Sequence, residues 1–210
     1  KGAGIETLIN QLLSGGAQKD SVSFTIPEGY SIEKMAVKLE EEGICTAAEF
    51  LAAVEKDYDY SFLDSIPNNT DLKYRLQGFL YPDTYAVTED MTAEDIVNMM
   101  LRQFDNKFTA EMRSKAESLG QSVFEVVVRA SIVEREAQRS EERSTIAGVI
   151  VNRLAIDMPL QMCPTALYPV TDGMYDKTTV TYADTEIDSP YNTYKYAGLP
   201  VGPICNPGIA

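Results

Sequence analysis

Histidine is missing from this 210-residue chain. Its absence excludes serine–histidine and cysteine–histidine nucleophile pairs and any histidine-ligated zinc site. Cysteine is scarce: Cys45, Cys163 and Cys205 lie far apart and form no CxxC. That spacing argues against a metal site, and the odd count argues against a closed disulfide framework. Free thiols are expected, and neither a metal nor a cofactor is. Positive charge is also short, with 18 Lys and Arg against 32 Asp and Glu and a net charge of −14. Nucleic acid, whose phosphates would be repelled, is not an expected partner, and no basic patch for a membrane surface is foreseen. No apolar run reaches the roughly 18–20 residues that cross a bilayer. The opening Lys1-Gly2-Ala3-Gly4 lacks an initiator methionine and no signal peptide follows, so any targeting segment is expected to lie ahead of it.

What is present is enough for a core. Hydrophobic residues make up 44% of the chain, and the length suits one large domain or two small ones. Residues 1–20 read as a linker or a frayed helix. Val22 to Ile26 alternates as a short strand and stops at Pro27. Ser31 caps a helix carrying Met35, Val37 and Leu39 and closed by Gly43. Thr46 caps a second helix with Phe50, Leu51 and Val54. A returning strand, either Gly78 to Tyr81 or Thr84 to Val87, completes a βααβ unit over residues 21–90, with Asp57 to Asp71 as a turn-rich loop. Thr92 opens an amphipathic helix in which Ile96, Met99, Met100, Phe104 and Phe108 fall at helical spacing. Val123 to about Gln138 is a further helix. Glu142 to Leu154 is another, with Ile146, Val149 and Ile150 facing inward. After Met158 the prolines at 164, 169, 190, 200, 203 and 207 point to irregular loops and short strands. The fold class is α+β, a small βααβ module followed by a mainly helical domain over residues 91–210.

The residues most able to carry chemistry are two carboxylates. Glu134 and Glu136 sit in the apolar run Val126-Val127-Val128-Arg129-Ala130-Ser131-Ile132-Val133-Glu134-Arg135-Glu136-Ala137. A Glu-Arg-Glu on an ordinary helix is a solvated face with local ion pairs. Here the preceding turns are apolar, and a carboxyl half-sunk among them has its pKa raised toward the working pH of an acid–base catalyst. Being two residues apart, the pair points to different faces. One is expected to line a cleft and the other to pair with Arg135, Arg139 or Arg143. Tyr191-Asn192-Thr193-Tyr194, next to a Gly- and Pro-rich stretch, reads either as a packed turn or as a rigid loop shaped around a ligand. Asp83, after Tyr81-Pro82, reads as a turn residue.

Taken in order, several stretches resemble the YceG-like, or MltG-type, endolytic murein transglycosylases. They are Ile26-Pro27-Glu28-Gly29-Tyr30-Ser31, Gly78-Phe79-Leu80-Tyr81-Pro82-Asp83-Thr84-Tyr85, and Ala130 through Ala137. Ile146-Ala147-Gly148-Val149, Asn152-Arg153-Leu154, Met158-Pro159-Leu160-Gln161 and Pro164-Thr165 follow, then Tyr191-Asn192-Thr193-Tyr194 through Asn206-Pro207-Gly208. The resemblance covers roughly residues 22–208. It implies a LysM-like module and a lysozyme-like catalytic domain, anchored through a membrane helix and acting outside the cytoplasmic membrane. Its expected partners are peptidoglycan glycan strands and the cell-wall synthesis machinery. The implied activity is cleavage between N-acetylmuramic acid and N-acetylglucosamine with closure of a 1,6-anhydro ring. The resemblance implies Glu136, followed by the small Ala137, as the acid–base group, with Glu134 the alternative. It also implies Gln161 facing the saccharide and Tyr191, Asn192 and Tyr194 lining the cleft.

Two departures stand out. Gln77 occupies a position where the family commonly has Glu, and Met162-Cys163 stands where it has Ser-Asp or Thr-Asp. The family also continues past the position of Ala210 with another helix and strands. Two other readings remain open. One is a glycan-binding module without turnover. The other is a hydrolytic muramidase drawing a second carboxylate from Asp172, Asp176, Asp184 or Asp188.

Overall fold

A computed structural model describes residues 21–209; the linker or helix expected over 1–20 lies outside the described residues. β1 (Ser21–Thr25) and β2 (Thr84–Thr88) pair antiparallel, with Ser21 opposite Thr88 and Thr25 opposite Thr84. Strand alternation turns Phe24, Tyr85 and Val87 inward. The returning strand is therefore the second of the two candidates. The first, Gly78 to Tyr81, is a buried turn. Gly78 sits at φ +92, and a Cβ there would lie 2.5 Å from Val127 Cγ1, so only glycine fits.

Between the strands lie α1 (Ile32–Glu41) and α2 (Ala47–Val54). The Ser31 hydroxyl accepts from Lys34 N at 3.1 Å, and Thr46 closes a full capping box with Glu49. The order βααβ is as expected. The intervening loop is less open than its turn residues suggest. A 3-10 turn, Ser61–Ser65, buries Phe62 and Leu63, and the Phe62 ring packs on Phe79 and Phe104 at 5.7 and 4.8 Å.

The remainder is helical. α3 (Ala93–Lys107) and α4 (Ala110–Ser118) lead to α5 (Val123–Glu136), and α6 (Arg143–Ala155) follows a 3-10 turn. α7 (Cys163–Val170) and the short α8 (Tyr182–Thr185) come next. Three expectations need correction. α4 has no counterpart in the sequence reading. Val149 is 37% exposed rather than buried, because α6 packs mainly on α5 and leaves that side to solvent. The proline-rich tail holds helices, not short strands; its β structure among the described residues is one isolated bridge, Tyr30 to Asn206. The observed class is α+β, helical with one two-stranded sheet among the described residues.

One apolar core runs from Phe24 to Ile204. Asn206, fully buried, ties its ends together. Its Oδ1 accepts from the Gly78 and Leu80 amides at 2.9 and 3.0 Å, and its Nδ2 donates to Tyr30 O at 3.0 Å. Its backbone N–H also donates to Tyr30 O, and its carbonyl accepts from Gly29 N. Gln77 joins the same network. Its Oε1 accepts from Ile32 N, and its Nε2 donates to Tyr168 OH. Buried polar groups are satisfied here by one another. The departure at Gln77 thus falls in the interior between α1 and α7.

Candidate active site

The last turn of α5 carries both glutamates, and each neighbour takes a different direction. The Ser122–Glu125 capping box starts the helix, and the apolar residues Phe124, Val127, Val128 and Ile132 bury its inner face. Arg135 points inward, its guanidinium 3.8 Å from the centre of the Tyr175 ring. Glu134 is ion-paired. Its Oε1 lies 3.1 Å from Arg143 Nη2, and its Oε2 accepts from Gly208 N at 3.3 Å. Burial still raises its pKa, outweighing Arg143 and the Gly208 amide. Of the three arginines considered as partners, Arg143 is the one that meets it.

Glu136 is the final helical residue, with Ala137 as the extended cap. It is half-buried, and among the described residues no hydrogen bond or ion pair holds its carboxylate. Desolvation by burial raises its pKa above 4.5 with no cation opposing it. The negative end of the helix dipole works in the same direction. Its charge is felt at Tyr194. There, burial chiefly, then the Cys163 hydrogen bond and the charges of Cys163 and Glu136, push the phenol up to about 12. Tyr194 is therefore a neutral hydroxyl at any physiological pH.

Tyr194 and Gln161 line one open cavity of about 610 Å³, together with Cys163, Tyr182, Glu186 and Lys195 among others. Two loops meet there and are sewn together by Thr193, which is buried. The Thr193 carbonyl accepts from Gln161 N at 3.1 Å, and its Oγ1 accepts from Met162 N at 3.1 Å and lies 2.7 Å from Thr165 Oγ1. Arg153 donates to the Leu160 carbonyl from the other side. Gln161, pinned between them, adopts φ +50, a left-handed conformation that non-glycine residues rarely take. Its side chain is exposed.

Tyr191 and Asn192 do not line the cavity. Tyr191 is buried, its ring edge-on to Tyr168 at 4.8 Å and its hydroxyl accepting from Lys73 N at 3.0 Å. Asn192 is 0% exposed: its Nδ2 donates to Thr185 O and Ile187 O, and its Oδ1 accepts from Tyr194 N at 3.0 Å. Both support the loop that presents Tyr194. Of the run Tyr191 to Tyr194, Tyr194 alone is among this cavity's lining residues.

Three of the aspartates considered as second carboxylates are engaged. Asp172 pairs with Lys73 at 2.5 Å, and Asp188 pairs with Lys195 at 3.1 Å. Asp184 is held to about 2 by Lys177 and Thr181. Asp176 is exposed and acts on Lys34. Sequence reasoning missed Glu186, which does line the cavity. Its place as the C-cap of the four-residue helix Tyr182–Thr185 leaves no periodic signal. The three cysteines are free thiols; the Cys205 thiol is buried and donates to Ser131 O at 3.3 Å, and Cys163 lies 3.2 Å from Tyr194 OH.

A family model described as "YceG-like family" matches residues 1–210. The endolytic murein transglycosylase of Bacillus subtilis (strain 168) is 35% identical over 219 residues, covering 100% of this chain and 59% of that protein. The endolytic murein transglycosylase of Streptococcus pneumoniae serotype 2 (strain D39 / NCTC 7466) is 35% identical over 229 residues, covering 100% and 41%. The chain thus spans about half the length of these curated relatives. A crystal structure of the yceG-like protein lmo1499 from Listeria monocytogenes superposes with a TM-score of 0.78 at 34% identity, covering 97% of this chain and 68% of that one.

Proposed function

The chain belongs to the YceG-like family, and we propose that it forms the catalytic centre of an endolytic murein transglycosylase with Glu136 as acid and base. The observation that carries this reading is the unpartnered, half-buried Glu136 carboxylate at the end of α5, whose charge reaches Tyr194 although Glu136 is not itself among the cavity's lining residues. Its raised pKa lets it hold a proton where an exposed carboxylate has lost it.

In this mechanism Glu136 protonates the glycosidic oxygen as the bond to C1 of N-acetylmuramic acid breaks. The resulting carboxylate then takes the proton from the 6-hydroxyl of the same sugar, whose oxygen closes on C1 as the 1,6-anhydro ring. Glu136 ends protonated, ready for the next cycle. No water enters, and no second catalytic carboxylate is needed, unlike the usual glycosidase pair. In this reading Gln161 and the neutral Tyr194 hydroxyl, which line the cavity, donate to saccharide oxygens. Glu134, tied to Arg143, serves structure.

The finer architecture belongs to the same proposal. The β1-α1-α2-β2 order supports a LysM-like module over residues 21–90, and the Glu-bearing α5 with the loops around it supports a lysozyme-like domain over 91–210. Murein lies outside the cytoplasmic membrane, so the proposed site of action is extracytoplasmic. Anchoring at that membrane and contact with the cell-wall synthesis machinery are further proposals. Among the described residues no helix is long and apolar enough to cross a membrane.

Glu186 in the cavity favours a second reading, hydrolysis by two carboxylates. Mass spectrometry of muropeptides separates the two. Uncrosslinked strands are incubated with the protein and with Glu136→Gln. Anhydro ends from the parent and none from the variant are expected. Reducing ends would establish a muramidase, and unchanged strands with both proteins would leave a glycan-binding module.

A further inference from the structure

Tyr182 is 82% exposed, more than any other large apolar or aromatic side chain among the described residues. Its ring and hydroxyl touch no partner there. The backbone beneath it, by contrast, is fixed on both sides. Thr181 N and Oγ1 donate to Asp184 Oδ2 at 2.6 and 2.7 Å, and Lys177 Nζ lies 2.5 Å from the same oxygen. Asp184 is itself buried. Past the ring, the Thr185 and Ile187 carbonyls accept from Asn192 Nδ2 at 3.0 and 2.9 Å. The other end of the Asn192 amide accepts from Tyr194 N. One buried asparagine therefore ties the end of the short helix that carries Tyr182 to the backbone at Tyr194, and the Tyr182 and Tyr194 side chains both line the cavity of about 610 Å³.

A free aromatic ring on an immobile base, in a cleft whose walls mix Val180 and Tyr194 with Gln161, Glu186 and Lys195, suits a ligand with an apolar face and a hydroxylated rim. A pyranose is such a ligand. Its axial C–H face covers the ring, and its hydroxyl and acetamido groups reach Gln161, Thr185, Glu186 or Lys195 in the same walls. Aromatic side chains contribute large contact area at small entropy cost, and a ring already held in place loses least.

We propose that Tyr182 is a stacking platform for one saccharide ring of the bound strand, setting affinity without taking part in bond cleavage. This inference rests on the glycan-cleaving reading given above. Its test uses Glu136→Gln protein, which keeps strands intact, and titrates uncrosslinked glycan strands by calorimetry. Adding Tyr182→Ala is expected to weaken binding by about tenfold, while Tyr182→Phe, which keeps the ring, stays within about twofold. The melting temperature should not move, since the side chain is exposed. In otherwise unaltered enzyme, Tyr182→Ala should raise KM and spare kcat. Equal affinity of the Ala and Tyr proteins would overturn the platform, as would an equal loss with Phe. Anhydro products from the parent together with a Tyr182-independent affinity would discard this inference and keep Glu136. Absence of products with a Tyr182-dependent affinity would do the reverse.

Discussion

On one side of the last turn of α5, Glu134 meets a guanidinium and a backbone amide; on the other, Glu136 meets neither. Both carboxylates are partly sunk, and burial raises the pKa of both. They differ in whether that burial is opposed. Arg143 and the Gly208 amide work against it at Glu134, and this bonding fixes the end of α5 to the chain near its C-terminus. At Glu136 every influence favours the protonated form. The same residue type on the same turn is thus a structural tie in one direction and a proton carrier in the other. What separates them is Arg143, nine residues downstream.

Four experiments would break or sharpen that contrast. The largest effect is expected from Glu136→Gln: anhydro-product formation falls roughly 10²–10⁴-fold while circular dichroism stays that of the parent. Next comes Glu134→Ala, which strips Gly208 N of its acceptor and Arg143 of one of its carboxylate partners, Glu28 remaining at 3.7 Å. Chemical denaturation should show a loss of about 2 kcal/mol, with strand cleavage retained. Glu134→Gln, whose single carbonyl oxygen can replace only one of the two acceptors, should recover part of it. If Glu134 variants lost cleavage and Glu136 variants lost only stability, the two roles would be exchanged. Thr193→Val should cost about 1 kcal/mol and raise KM more than it lowers kcat, because it loosens the seam that places Gln161 and Tyr194. The smallest signal is a pH dependence. The folded state keeps the Glu136 proton in a window above 4.5 where the unfolded chain has released it, so stability falls as pH rises through that window. Glu136→Gln removes its share of this dependence and leaves that of Glu134. It should melt above the parent at pH 7, and the gap should close as the pH drops below 4.5.

Much of the fold is readable from local chemistry. Ser31, Thr46 and Thr92 announce their helices, because a hydroxyl at the N-cap has a definite hydrogen-bonding task. Other elements carry no such signal. α4 is almost wholly polar and buries only Ala116, so no apolar stripe marks it. α7 begins Cys163-Pro164 and contains Pro169, which reads as loop, although proline in a first turn forfeits no helical hydrogen bond. At the site, the apolar run of α5 identifies the pair Glu134 and Glu136, and the fold then distinguishes them. The loop Tyr191 to Tyr194 is conspicuous, yet irregular backbone has no period. Nothing local tells that Tyr191 and Asn192 turn inward while Tyr194 turns outward.

Asn206 has a consequence in time rather than in space. Its amide bonds to Tyr30 close a loop of 176 residues, and its carbonyl oxygen Oδ1 is the acceptor for the buried Gly78 and Leu80 amides. Until residue 206 leaves the ribosome, the turn around Gly78 holds donors with no acceptor, and the β1–β2 region lacks its last bonds. Contacts so distant in sequence form late and slow the final step of folding. A nascent chain halted before Asn206 should therefore be degraded readily by added protease, and one released after it should resist.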